Sequence, residues 1–157
     1  MTAHAHTDAH ADHGHGGSGL PLTAVHTTLH CLLGCAIGEF LGLAIGISAG
    51  LGVWATMGLA TALALVIGVN LAVLPLMRRH GRGYVEALGV VWVGEVASIV
   101  VMEIAMNATD YAVGGVQVTS MADPLFWIGF GAALPAGFVA AYPINLWLIG
   151  RNLKHCH

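Results

Sequence analysis

Residues 26–50, HTTLHCLLGCAIGEFLGLAIGISAG, are apolar enough to enter a bilayer, yet they carry His26, His30, Cys31, Cys35 and Glu39. No other stretch constrains the chain as strongly. Glycine recurs at every fourth position through Gly34, Gly38, Gly42, Gly46 and Gly50. On a helix a step of four drifts by only about 40°, so these glycines form one slowly turning ridge. A ridge without side chains lets a neighbouring helix approach closely. Cys31, Cys35 and Glu39 project within about 60° of Gly42, on the same side. His30 lies off to the side and His26 nearly behind. Small cysteines on a packing face are ordinary. A carboxyl in mid-span is not, because an ionisable group there is costly and usually functional.

The rest of the chain has the same character. Of 157 residues, 57% are hydrophobic and 8% charged, with mean hydropathy +0.79. Soluble domains carry about 25% charged residues, so the chain reads as an all-α, polytopic membrane protein. Four runs are long enough to span, at roughly 24–50, 53–77, 85–108 and 124–149, each meeting the ~20 residues a bilayer requires. Long unbroken apolar runs exclude a transmembrane barrel. The 22 glycines point to close helix packing. We divide the chain into a His-rich leader (1–22), a four-helix membrane domain (23–150) and a tail (151–157). The leader, with His4, His6, His10, His13 and His15 among Ala, Asp and Gly, reads as disordered. Imidazoles at that density can bind Zn, Ni or Cu.

All five Lys/Arg residues lie in two places: Arg78, Arg79 and Arg82 after the second run, and Arg151 and Lys154 after the fourth. Four spans put both clusters on one side, which the positive-inside rule makes the cytoplasm. The expectation is a multi-pass protein of the inner (cell) membrane with both termini cytoplasmic. No basic patch suits nucleic acid, and no nucleophile–base pair or phosphate-binding loop suggests an enzyme.

In the third run Glu95, Ser98, Met102 and Met106 share one stripe, and Glu103 and Asn107 an adjacent one. This helix would rise from inside to outside, placing both methionines near its outer end and Glu95 about 11 Å deeper than Met102. Residues 109–123 read as a polar outer loop holding Asp110 and Asp123. Thioether sulfur is neutral, soft and suited to Cu(I). Weakly held sites suit conduction, since an ion must also leave. The tail ends in His155, Cys156 and His157, a thiol between two imidazoles. The fourth run, interrupted by Pro135 and Pro143, with Asn145 just beyond, reads mainly as a packing helix.

Two resemblances follow from these residues. HCLLGCAIGE (30–39), MEIAMN (102–107), DPLFW (123–127) and AYPINLWLI (141–149) resemble an uncharacterised family of bacterial four-span membrane proteins, a domain of unknown function. Spans three and four plus the tail resemble the Ctr family of copper transporters. That resemblance assigns Met102 and Met106 to an outer Met-x-x-x-Met filter, and His155, Cys156 and His157 to a cytoplasmic acceptor. It implies a homotrimer with methionine rings on its axis. The chain departs from that family in having four spans, a His-rich leader and no Gly-x-x-x-Gly on the returning helix.

The expected function is transport of a soft transition-metal ion, Cu(I) first and other transition metals next, by a homo-oligomer. The expected ligands are Met102, Met106, Cys31, Cys35, Glu39, His30, Glu95, Glu103, His155, Cys156 and His157. Three further readings stay open: a membrane metal- or haem-binding redox protein, a membrane-anchored metal sensor or chaperone, and a proton-coupled carrier using Glu39, Glu95 and Glu103.

Overall fold

A computed structural model describes residues 19–81 and 83–151, apart from the side chains of residues 79 and 80. Four helices account for almost all of them: α1 (Leu20–Ser48), α2 (Val53–His80), α3 (Tyr84–Val113) and α4 (Pro124–Gly150). A single 3₁₀ turn at Gly115–Gln117 lies between α3 and α4. All four helices are long and apolar enough to cross a membrane. The helix starts follow local chemistry. Pro21 occupies the first turn of α1, where its missing N–H is not needed. α1 therefore begins at Leu20, inside the stretch read as leader. Asp123 caps α4 by accepting from Leu125 N at 2.9 Å, with Pro124 next in the chain. α2 and α3 end on Gly81 and Gly114, whose φ of 62° and 97° belong to the left-handed region that glycine adopts most readily.

Short connections make neighbours antiparallel. α1 packs most extensively on α2, and α3 on α4; α1 also meets α4 and α3, and α2 meets α3. The bundle is a ring in chain order with α1 and α3 drawn together across its diagonal.

The glycine ridge of α1 faces α2 in strict register. Gly34 lies against Gly68, Gly38 against Ala64, Gly42 against Ala60 and Gly46 against Thr56. Four residues up α1 match four residues down α2, so each glycine meets a small residue. A methyl group on Gly34 would stand 2.8 Å from the Gly68 Cα, and one on Gly38 or Gly42 would collide with the backbone of Ala64 or Ala60. Where hydrocarbon tails replace water, such packing supplies much of the association energy. The ridge and the Cys31–Cys35–Glu39 stripe thus divide α1 between them: glycines to α2, and ligand-type side chains to the interior shared with α3 and α4.

The exterior is apolar. Leu29, Leu33, Leu41 and Ile45 on α1, Trp54 and Val66 on α2, Val85, Val93 and Ile104 on α3, and Val139 on α4 all face outward. The interior holds Thr28, Glu39, Glu95, Ser98, Glu103, Asp110 and Asn145. Polar residues inside and apolar residues outside is the arrangement lipid demands.

Candidate functional site

Three helices supply most of the interior surface, and α2 adds Thr61 and Ala64. On α1, Thr28, Cys31, Cys35 and Glu39 recur at helical spacing and are all buried. On α3, Glu95, Ser98, Met102, Glu103, Met106 and Asp110 are buried. On α4, Gly129, Ala133, Gly137, Ala141 and Asn145 recur every fourth residue, all buried. The small residues of α4 leave room for the long ones of α3. A Cβ on Gly137 would stand 2.8 Å from the Met106 sulfur and 3.0 Å from Met102 Cγ. Cys31, Cys35, Met102 and Met106 belong to one buried cluster with Ala64, Ile99, Ala133 and Ala141.

At the end nearer the start of α1 the polar groups form a directed chain. Ser98 Oγ donates to Asn145 Oδ1 at 2.8 Å, and Asn145 Nδ2 donates to Thr28 Oγ1 at 2.9 Å. Thr28 donates to the Ala24 carbonyl at 2.7 Å. A hydroxyl has one proton, and Ser98 has given its proton to Asn145. The contact between Cys31 Sγ and Ser98 Oγ at 3.7 Å is therefore made by the thiol donating to the hydroxyl.

Further along, Cys35 stands within interaction range of both Cys31 and Glu103. Asn107 Nδ2 reaches Glu103 Oε2 at 3.4 Å, the Glu103 carbonyl at 2.9 Å and Thr61 Oγ1 at 3.1 Å. Glu39 lies within electrostatic range of Glu103 and Asp110. These carboxyls are 1%, 2% and 2% exposed for Glu39, Glu103 and Asp110. Each has one oxygen without a hydrogen-bond partner among the described residues: Glu39 Oε2, Glu103 Oε1 and Asp110 Oδ1. The sequence has no lysine or arginine before residue 78 or between residues 83 and 150, so none comes from the helices α1, α3 and α4 that hold these carboxyls or their neighbours. Asp110 is seated between Gly115 and Gly129, where a side chain on either glycine would strike Oδ1.

The structure thus brings Cys31, Cys35, Glu39, Glu103, Met102 and Met106 into one interior. Glu95 is buried on the same helix face. Met102 and Met106 are fully buried against Gly137 of their own chain, whereas the Ctr resemblance implied a ring shared between subunits. His30 is exposed and sits apart from this interior, its Nε2 3.3 Å from the Leu71 carbonyl. The reason lies in α2. Pro75 is inside that helix and cannot donate to the carbonyl four residues back, which is Leu71; His30 takes that place. His26 is exposed as well. Among the described residues no group of three or more His, Cys, Asp or Glu is arranged to hold a metal ion; the two methionines add soft donors of a further kind. His155, Cys156, His157 and the leader histidines 4–15 lie outside the described residues.

Two parts of the site escaped the sequence reading. Asp110 is not a loop residue, because α3 continues to Val113 and closes on Gly114, whose N–H bonds the Asp110 carbonyl at 2.9 Å. Its position, seven residues after Glu103, puts it on the Glu103 stripe, a signal the spacing contained. Asn145 is the hub of the Ser98–Asn145–Thr28 layer rather than a feature of a packing helix. The every-fourth series from Gly129 to Asn145 pointed it inward.

Over residues 22–154 the chain matches the family described as Domain of unknown function (DUF4396), and it belongs to that family. No curated protein and no solved structure gives a significant match.

Proposed function

We propose that this chain carries a soft monovalent metal ion, with Cu(I) the best fit, across the membrane through the interior of its own bundle. The observation that carries this is the gathering of two thiols and two thioethers, Cys31, Cys35, Met102 and Met106, in one buried cluster. Thiolate and thioether are the donors that favour Cu(I) over harder ions. Low-coordinate soft sites can pass an ion along, and conduction needs sites that an ion can leave. Glu39, Glu103 and Asp110, buried without a basic partner, favour a positive passenger. Glu95 extends the series toward the inner end. The passenger is cargo, so no resident cofactor and no enzymatic step belong to this reading.

The positive-inside rule supports an inner-membrane orientation with both termini cytoplasmic, and His155, Cys156 and His157 would then receive the ion there. Inward-facing methionines favour a path within each subunit. A homo-oligomer, the trimer of the Ctr resemblance included, would then repeat the path rather than create it.

The test is flux into proteoliposomes. Cu(I) is expected to enter, with Zn(II) and Ni(II) far slower. Replacing both Met102 and Met106 with Leu should reduce Cu(I) entry by more than the roughly 10–100-fold typical of outer-shell changes at metal sites. The partnerless carboxyl oxygens favour one other reading, a proton-coupled carrier. In that case the double leucine variant stays active, while Glu39→Gln and Glu103→Gln do not. The haem and redox readings have less support, since His26 and His30 both face outward. A sensor or chaperone acting through the leader would lose its function on deletion of residues 1–19, whereas transport would largely survive.

A further inference from the structure

No step of that pathway uses Thr28, Ser98 or Asn145. They come from α1, α3 and α4, each is 0% exposed, and each is bonded to the next. They lie on the inner side of Cys31. An ion moving inward from the thiols meets neutral groups already engaged with one another. A saturated polar layer between three helices is a closure rather than a binding station, and it opens only if one member moves away.

The helix that carries Asn145 lacks a backbone bond close to that residue. Pro143 lies inside α4, two residues before Asn145, and cannot donate to the carbonyl of Val139. Missing helix bonds of this kind are where helices bend. The same break at Pro75 in α2 is bridged by His30 from α1, which ties that helix down. Bending at Pro143 would draw Asn145 off Ser98 and Thr28 together. The Ser98 hydroxyl would then be free to turn toward Cys31.

We propose that Thr28, Ser98 and Asn145 form the inner gate of the ion path, with Pro143 as its hinge. The gate rests on the transport reading, but it can be tested without any ion. The full chain in everted membrane vesicles is treated with a membrane-impermeant maleimide, and the rate of adduct formation at Cys31 is followed by peptide mass spectrometry. Right-side-out vesicles provide the opposite face. Asn145→Ala should raise the Cys31 rate about tenfold from the inner face, the population change expected from losing neutral hydrogen bonds, with no change from the outer face. Pro143→Ala restores the helix bond and should lower the rate below that of the unaltered chain. Should Asn145→Ala fail to accumulate, Thr28→Val serves the same purpose. An unchanged rate in the latch variants, an equal rise from both faces, or no fall with Pro143→Ala would each overturn the gate, since a purely structural layer has no reason to respond to the hinge. If labelling follows expectation while the unaltered chain moves no Cu(I), the gate stands and the copper reading falls.

Discussion

Two layers of this bundle, an inner one nearer the start of α1 and an outer one nearer its end in the proposed orientation, bury polar groups in opposite ways. At the inner layer Ser98, Asn145 and Thr28 pass hydrogen bonds from helix to helix until the last proton reaches the Ala24 carbonyl. At the outer layer Glu39, Glu103 and Asp110 each keep an oxygen without a partner. The inner layer is neutral and closed. The outer layer is acidic, with three buried carboxyls. A satisfied network holds helices in register, while an unsatisfied buried group is a liability unless it does something. The difference separates what seals the bundle from what would bind within it.

That contrast can be broken or sharpened by substitution, with stability read from unfolding in bicelles. The largest loss is expected at the inner layer: Asn145→Ala leaves Ser98 and Thr28 without their partner and should cost about 2 kcal/mol. Next comes the seat of Asp110. Gly129→Ala places a methyl group where Oδ1 lies and should cost about 1–2 kcal/mol through overpacking. Glu103→Gln removes a buried carboxyl that lacks a full set of partners, so stability should stay level or rise by up to about 1 kcal/mol, while Cu(I) flux falls. A large stability loss there would mean that the outer layer is structural after all. The smallest change is expected outside both layers. His30→Ala releases the Leu71 carbonyl and should cost about 0.5–1 kcal/mol, with Cu(I) flux intact.

The span pattern was legible because lipid allows few alternatives. Long apolar runs, the Gly50–Gly52 turn and the basic segment after residue 77 marked four helices whose observed limits, apart from the start of α1 and the end of α3, lie close to those read from sequence. The stripe of Cys31, Cys35 and Glu39 was legible from spacing alone. Its partners were less so, because angular position on one helix does not say which neighbour fills the space opposite. The glycine ridge could be seen, but its register with Thr56, Ala60, Ala64 and Gly68 is a property of the pair. Asn145 reads as part of a packing helix, because its own span does not reveal Thr28 and Ser98 on either side of it. His30 looked like a ligand, because nothing in its own helix reveals that Pro75 leaves a carbonyl vacant on another. Asp110 was lost to an early helix end drawn at a run of polar residues, which Gly114 in fact sets later.

The central claim is that sulfur inside the bundle binds the ion. X-ray absorption at the copper edge, on Cu(I)-loaded protein that lacks residues 1–19 and carries His155→Ala, Cys156→Ser and His157→Ala, tests it directly. Sulfur neighbours alone should surround the metal, and their number should fall when Cys31 and Cys35 are both changed to serine, leaving the thioethers of Met102 and Met106. A shell of nitrogen or oxygen that is indifferent to those two substitutions would contradict it.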